Sequence, residues 1–128
     1  MRWMMAVILA ATAAGADTVP VPSGQSVTFL ELVRDVEGTA GNTWRYRFVA
    51  PAIARDSGLV PIDTALADID ALCTTFVLPD LAGATERPDQ VVISLADRIV
   101  EFGTPAPDAT QYFEAYSVES GACIWEGF

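Results

Sequence analysis

Only one stretch of this chain repeats its apolar residues at helical spacing, and segments typical of strands lie on both sides of it. When successive residues are placed 100° apart, as in a helix, five apolar side chains of residues 61–78 fall within about 80° of one another. They are Ile62, Leu66, Ile69, Cys73 and Phe76. Asp68 and several threonines fall on the opposite side, which predicts that they face solvent. We therefore expect a single amphipathic helix that begins at Pro61 and ends before Pro79.

The segments around the helix favour strands. Residues 26–36 are rich in β-branched and aromatic side chains. In residues 44–50 Trp44, Tyr46 and Phe48 alternate with Arg45 and Arg47, the pattern of a half-buried strand. Further strands are predicted at 91–95, 99–103, 112–118 and 122–126. The predicted fold is α+β: an antiparallel sheet of about five strands in the order ββαβββ, with the helix packed on one face.

The start of the chain has the three-part layout of a secretory signal. Arg2 precedes an apolar run of about 12 residues, too short to span a bilayer, and Ala14-Gly15-Ala16 offers a cleavage site. We expect a signal peptide at 1–16 and a single α+β domain at 17–128, exported to the periplasm of a Gram-negative bacterium and without a membrane span after cleavage. After cleavage six of the seven basic residues would remain, against seventeen carboxylates. The resulting net charge of −11 disfavours binding to nucleic acid.

Four stretches together resemble a known family: VPSGQSVTF, YRFVAPAIARD, VVISLADRIVEFG and FEAYSVESGACIWEGF. The chain is similar to a family of small exported bacterial proteins known only as a domain of unknown function, and the C-terminal block is the most specific part of the likeness. The resemblance implies export and a shared fold. It provides no established catalytic residues that could be transferred to this chain.

Two cysteines, Cys73 and Cys123, are the most distinctive candidate site residues. Cys73 lies in the apolar stripe of the helix, and Cys123 shares a strand face with Trp125, so both are expected to point inward. In an exported chain the simplest interpretation is a disulfide. Two buried free thiols and a reactive thiol remain as alternatives, although there is no C-x-x-C pair.

The chain contains no histidine, so His-based triads, bases and metal sites are excluded, and we predict no metal, no cofactor and no catalytic residue. Carboxylates are the remaining acid–base candidates. Asp63 and Asp70 lie near one line of the helix, and Glu101, Glu114 and Glu126 lie in apolar strands. They support, as an alternative function, a small carboxylate-dependent hydrolase, whereas charges that face solvent or pair with arginine are the simpler interpretation.

The arginines give the best functional indication. Arg45 and Arg47 share one strand face and could hold a carboxylate or a sulfated sugar, or they could pair locally with Glu31, Asp35 and Glu37. Aromatic residues left on an uncovered sheet face would mark a surface for a partner or a sugar. The sequence thus favours a monomeric, non-enzymatic binding or interaction module of the cell envelope, with an envelope protein or a cell-wall component as its partner.

Overall fold

Five strands form one sheet in chain order, and the computed structural model describes them within residues 18–38 and 40–127. The predicted signal peptide lies outside the described residues. The strands are β1 (Thr28–Gly38), β2 (Gly41–Val49), β3 (Gln90–Ala96), β4 (Gln111–Glu119) and β5 (Ala122–Glu126). The predicted α+β class and element order ββαβββ are confirmed.

The sheet is mixed, which corrects the prediction of a purely antiparallel one. β2 and β3 are parallel neighbours, whereas the other three pairs are antiparallel. The reason is the connection: the helical segment lies between β2 and β3, and a crossover of this length returns the chain in its original direction. A two-residue hairpin turn would have reversed it instead.

The helical segment continues past Pro79, although the sequence predicts that the helix ends before this residue. The α-helix α1 spans Ile62–Leu72, a π-helical turn spans Cys73–Val77, and the short helix α2 spans Leu78–Ala82. The Leu78 N–H donates to the carbonyl oxygen of Cys73, five residues back, so the wider turn precedes the proline. Pro79 then occupies the first turn of α2, where its missing N–H is tolerated.

The core lies between the helical segment and one face of the sheet, which we call the helix face. β2 and β3 contribute the fully buried Trp44, Tyr46, Phe48, Ile93 and Leu95, and α1 contributes Ile69 and Leu72. The predicted alternation in β2 is therefore present. Apolar burial on this scale is the main force that holds such a domain together.

Asp68 is fully buried, contrary to its predicted exposure. The segment before β1 packs over that side of α1, with Val19 and Val27 in the core. Asp68 accepts hydrogen bonds from the backbone N–H and the hydroxyl of Ser23 and from the Gln25 amide, at 3.0, 2.6 and 2.8 Å. A buried carboxylate needs such partners, and these fix the N-terminal segment to the helix.

Candidate functional site

The opposite face of the sheet carries the candidate site. Residues 97–110, which connect β3 to β4 and which we call the covering loop, lie over part of this face. The predicted strand at 99–103 is wrong, because these residues belong to the loop. The Asp97 N–H donates to the Thr110 carbonyl oxygen at 2.9 Å and closes the base of the loop.

A cavity of about 350 Å³ opens between the covering loop and the sheet, and we call it the sheet-face pocket. The strands contribute polar and charged groups to its walls, Arg45 and Arg47 from β2, Ser94 from β3 and Gln111 from β4. The loop contributes residues 100–105. The pocket therefore contains both arginines that the sequence singled out.

Arg47 is buried and fully engaged by its neighbours. One of its terminal nitrogens donates to Glu31 of β1, and the other donates to the carbonyl oxygen of Val100 in the covering loop. Local pairing with Glu31, one of the two sequence-based interpretations, thus describes Arg47. This side chain connects the outer strand, the sheet and the loop.

Arg45 has different surroundings. Its Nε atom is buried and has no hydrogen-bond partner, and no ion pair within residues 18–38 and 40–127 includes its guanidinium. Burial and, secondly, the neighbouring charge of Arg47 lower the pKa of Arg45 below its ordinary value. Because an arginine side chain stays protonated in proteins, Arg45 remains a partly desolvated cation.

Aromatic rings complete the pocket. The Phe102 ring centre lies 5.9 Å from the guanidinium carbon of Arg45 and 5.5 Å from that of Arg47. Phe113 of β4 lines the same cavity and is 43% exposed. A ring face attracts a cation but cannot neutralise its charge, so these contacts orient the arginines and leave room for an anion.

The predicted disulfide is present on the helix face. Cys73 and Cys123 are bonded and connect the start of the π-helical turn to β5. Cys73 is fully buried and Cys123 half-buried, but Trp125 on the same strand face is 61% exposed, which corrects its predicted burial. β5 is the edge of the sheet, so the helix does not cover Trp125, whose indole N–H donates to Glu114. A disulfide is consistent with an exported protein.

Comparison with known proteins gives one result. The model of DUF6497, a family of unknown function, matches residues 4–128. The chain belongs to the DUF6497 family. No curated protein and no solved structure matches it.

The carboxylates that were candidates for acid–base work in this DUF6497 protein are dispersed. Asp70 accepts a hydrogen bond from the Tyr116 hydroxyl, and Asp63 is exposed on the helix. Glu126 accepts from the Gln90 amide at 3.0 Å, and Glu101 stands on the wall of the sheet-face pocket. In the part of the chain that the structure describes, no group of three acidic or cysteine side chains could hold a metal ion.

The covering loop of the DUF6497 protein contributes residues to the sheet-face pocket that its sequence pattern does not predict. The sequence pattern predicts a strand at 99–103, but Gly103 adopts a φ of 79° and the Thr104 N–H donates to the Glu101 carbonyl oxygen in a turn. The Gly-Thr-Pro sequence after Phe102 is the signal that could have indicated a turn there. Within residues 18–38 and 40–127, no helix is both long enough and apolar enough to cross a membrane.

Proposed function

We propose that this protein is a non-enzymatic, exported binding module of the cell envelope that holds an anionic group, such as a carboxylate, in the sheet-face pocket. The observation that carries the proposal is the unpartnered guanidinium of Arg45 in the wall of a cavity. The envelope protein or cell-wall component that we expect as partner would present this anion.

Arg45 is a partly buried cation whose buried Nε has no hydrogen-bond partner. A charge removed from water is unfavourable unless another charge or hydrogen-bond acceptors replace the lost hydration. Arg47 has such partners in Glu31 and Val100, whereas Arg45 has none at its buried Nε. A carboxylate in the pocket would accept hydrogen bonds from the planar guanidinium fork and supply the missing charge.

The charge of the whole molecule makes this pocket unusual. The sequence carries a net charge of −10, so most of its surface repels anions at long range. Arg98 is paired with Asp97 at 3.0 Å, whereas Arg45 has no ion pair among the described residues. The combination of a buried Nε without a hydrogen-bond partner and an adjoining cavity therefore favours a ligand at Arg45.

Nuclear magnetic resonance of the arginine Nε–H groups tests the proposal directly. Titration with acetate is expected to shift the Arg45 Nε–H signal in a saturable way, and Arg45→Gln should abolish the binding. Arg98→Gln is the matched control, because it removes an arginine from the same protein outside the pocket. If neither acetate, inorganic phosphate nor a larger carboxylate such as 3-phenylpropionate shifts the Arg45 signal, the proposed function is wrong.

We place the mature protein in the periplasm, on the strength of the predicted signal at 1–16 and the disulfide. Cell fractionation followed by N-terminal sequencing should recover a periplasmic protein that begins at residue 17. Recovery of the uncleaved chain from the cytosol would contradict this assignment.

The alternative, a carboxylate-dependent hydrolase, has weaker support. Glu31 and Glu101 both line a shallow depression that adjoins the sheet-face pocket. Glu31 is in an ion pair with Arg47, and Glu101 is exposed. Neither therefore has the apolar surroundings that tune a carboxyl group for acid catalysis.

A further inference from the structure

The charges around the sheet-face pocket favour an anionic ligand with a single negative charge, because Arg45 has no ion pair among the described residues. Arg45 and Arg47 contribute two cations, and Glu31 already compensates Arg47. Glu101 stands on the pocket wall and adds a negative charge that would repel a second anionic group. With Glu101 counted, these four groups sum to zero before a ligand enters, so a dianion such as phosphate or a dicarboxylate meets more repulsion there than a monoanion does.

Apolar side chains form part of the pocket wall. Val100, Phe102, Pro105 and Phe113 line the cavity beside the charged and hydroxyl groups. Phe102 is 41% and Phe113 43% exposed, although both are large hydrophobic side chains. Apolar rings left accessible beside a cation offer a surface that gains from contact with an apolar part of a ligand.

The volume limits the ligand to a small molecule or to the end of a longer one. At about 30 Å³ of liquid volume per water molecule, a cavity of about 350 Å³ has room for roughly a dozen non-hydrogen atoms. This is enough for a carboxylate with one ring or one branched apolar group attached. A whole folded domain or an extended polysaccharide could insert only a terminal group.

From the charge balance, the apolar walls and the volume, we infer that the sheet-face pocket selects a small amphipathic monocarboxylate, with its carboxylate on Arg45 and its apolar group between Phe102 and Phe113. This inference rests on the proposed anion-binding function and specifies its ligand class. Free aromatic or branched carboxylates and the C-terminal residue of a peptide share this chemistry.

Isothermal titration calorimetry with five probes tests the ligand class: 3-phenylpropionate, acetate, inorganic phosphate, phenylsuccinate and the neutral 3-phenylpropionamide. We expect 3-phenylpropionate to bind at least about tenfold more tightly than acetate, because burial of apolar surface is favourable. Phosphate and phenylsuccinate should each bind about tenfold more weakly than 3-phenylpropionate. The amide should show no measurable binding, because it has no charge for Arg45.

Two variants separate the apolar and the electrostatic contributions. Phe113→Ser should remove most of the advantage of 3-phenylpropionate over acetate, measured as the ratio of the two affinities in the variant. Ile124→Ser is the matched control, because Ile124 pairs with Ser117 on the same sheet face, is 45% exposed and lies outside the pocket. Glu101→Gln should raise the affinity for phosphate about threefold or more, because it removes a negative charge from the pocket wall. The affinity for 3-phenylpropionate should change by a smaller factor.

A competition experiment with a peptide distinguishes a free carboxylate from the C-terminal residue of a peptide as the natural ligand. A short peptide that ends in Phe with a free carboxylate should compete with 3-phenylpropionate if the natural ligand is a chain end, and its C-terminal amide should not compete.

Each proposal is contradicted by a different experimental result. Equal binding of acetate, phosphate and 3-phenylpropionate would overturn the ligand class and leave the proposed function intact. An unchanged preference for 3-phenylpropionate in Phe113→Ser would overturn the placement of the apolar group. Failure of every anion to shift the Arg45 Nε–H signal would overturn both proposals.

Discussion

The two faces of the sheet satisfy their polar groups in different ways. On the helix face each buried phenol has a partner: Tyr46 donates to Asp80 at 2.6 Å, and Tyr116 donates to Asp70. The indole nitrogen of Trp44 is a buried group there without a partner, but it carries no charge. On the opposite face Arg47 is fully paired, but the adjacent Arg45 keeps a buried nitrogen without a partner and faces a cavity.

Because of this difference, we expect the helix face to contribute mainly to stability and the opposite face to ligand binding. A face that serves only the fold buries apolar surface and pairs its ionisable groups, because an unpaired buried charge lowers the free energy of unfolding more than an unpaired neutral group does. A face that binds a ligand keeps groups unsatisfied until the ligand arrives. We therefore expect substitutions on the helix face to change stability and substitutions around Arg45 to change binding.

Removal of the disulfide should have the largest effect on stability. The bond joins residues 50 positions apart, and loop-closure entropy assigns it about 4 kcal/mol. The double variant Cys73→Ser, Cys123→Ser should lower the free energy of unfolding by about that amount in urea denaturation. Acetate binding at low temperature should persist, because the bond lies on the face away from the pocket. An equally stable double variant would show that the bond does not support the fold.

Truncation in the helix-face core comes next. Ile69→Ala removes a fully buried side chain and should lower the free energy of unfolding by about 3 kcal/mol. Ile62→Ala on the same helix is the control, since Ile62 is 49% exposed, and it should cost less than about 1 kcal/mol. Urea unfolding of both variants measures the difference, and similar losses would contradict the packing of α1 on the sheet.

The tyrosine–aspartate contacts predict a specific alkaline behaviour. Burial and, after it, the hydrogen bond to Asp70 raise the pKa of Tyr116 above its ordinary value. The folded state therefore favours the protonated phenol, and its contribution to stability is complete below about pH 10 and is lost as the pH rises further. Tyr116→Phe should cost about 1 kcal/mol at pH 8, and the difference from the unmodified protein should shrink above about pH 10.

Urea unfolding at pH 8 and pH 10.5 provides this measurement. Tyr112→Phe is the matched control, because Tyr112 is a half-buried residue of the same strand. A difference between Tyr116→Phe and the unmodified protein that stays constant with pH would disprove the role of this phenol.

The smallest effect on stability is expected at Arg45. Arg45→Met removes a desolvated cation without a partner, so the free energy of unfolding should stay the same or rise by up to about 1 kcal/mol, while anion binding is lost. Arg47→Met, two residues away, leaves Glu31 and the Val100 carbonyl without their donor and should cost about 1 to 2 kcal/mol. Equal losses in the two variants would remove the distinction between a structural and a binding arginine.

Several elements followed from local sequence patterns. The alternation of Trp44, Arg45 and Tyr46 predicted both the strand and the face of each side chain, because successive residues of a strand point to opposite sides. The helical spacing around Ile69 predicted the buried stripe of α1 in the same way. The position of Cys73 in that stripe made its pairing with Cys123 the simplest interpretation.

Other elements depended on contacts between distant parts of the chain. Asp68 is buried because the segment around Ser23 packs against it, and Trp125 is exposed because β5 is the edge strand. The parallel pairing of β2 and β3 depends on the path of a long connection. Periodicity describes only which side of an element is apolar, so it cannot predict what will cover that side.

Residue type and local spacing are enough to predict the five strands that the structure describes, the start of the helix, the acidic charge, the absence of histidine chemistry and the cysteine pair. Only folding determines which arginine is paired. Arg45 and Arg47 are equivalent in the alternation of β2, and only the positions of Glu31 and the covering loop distinguish them. Whether a buried charge is satisfied depends on neighbours brought together by folding, and that is why the candidate site became visible only in three dimensions.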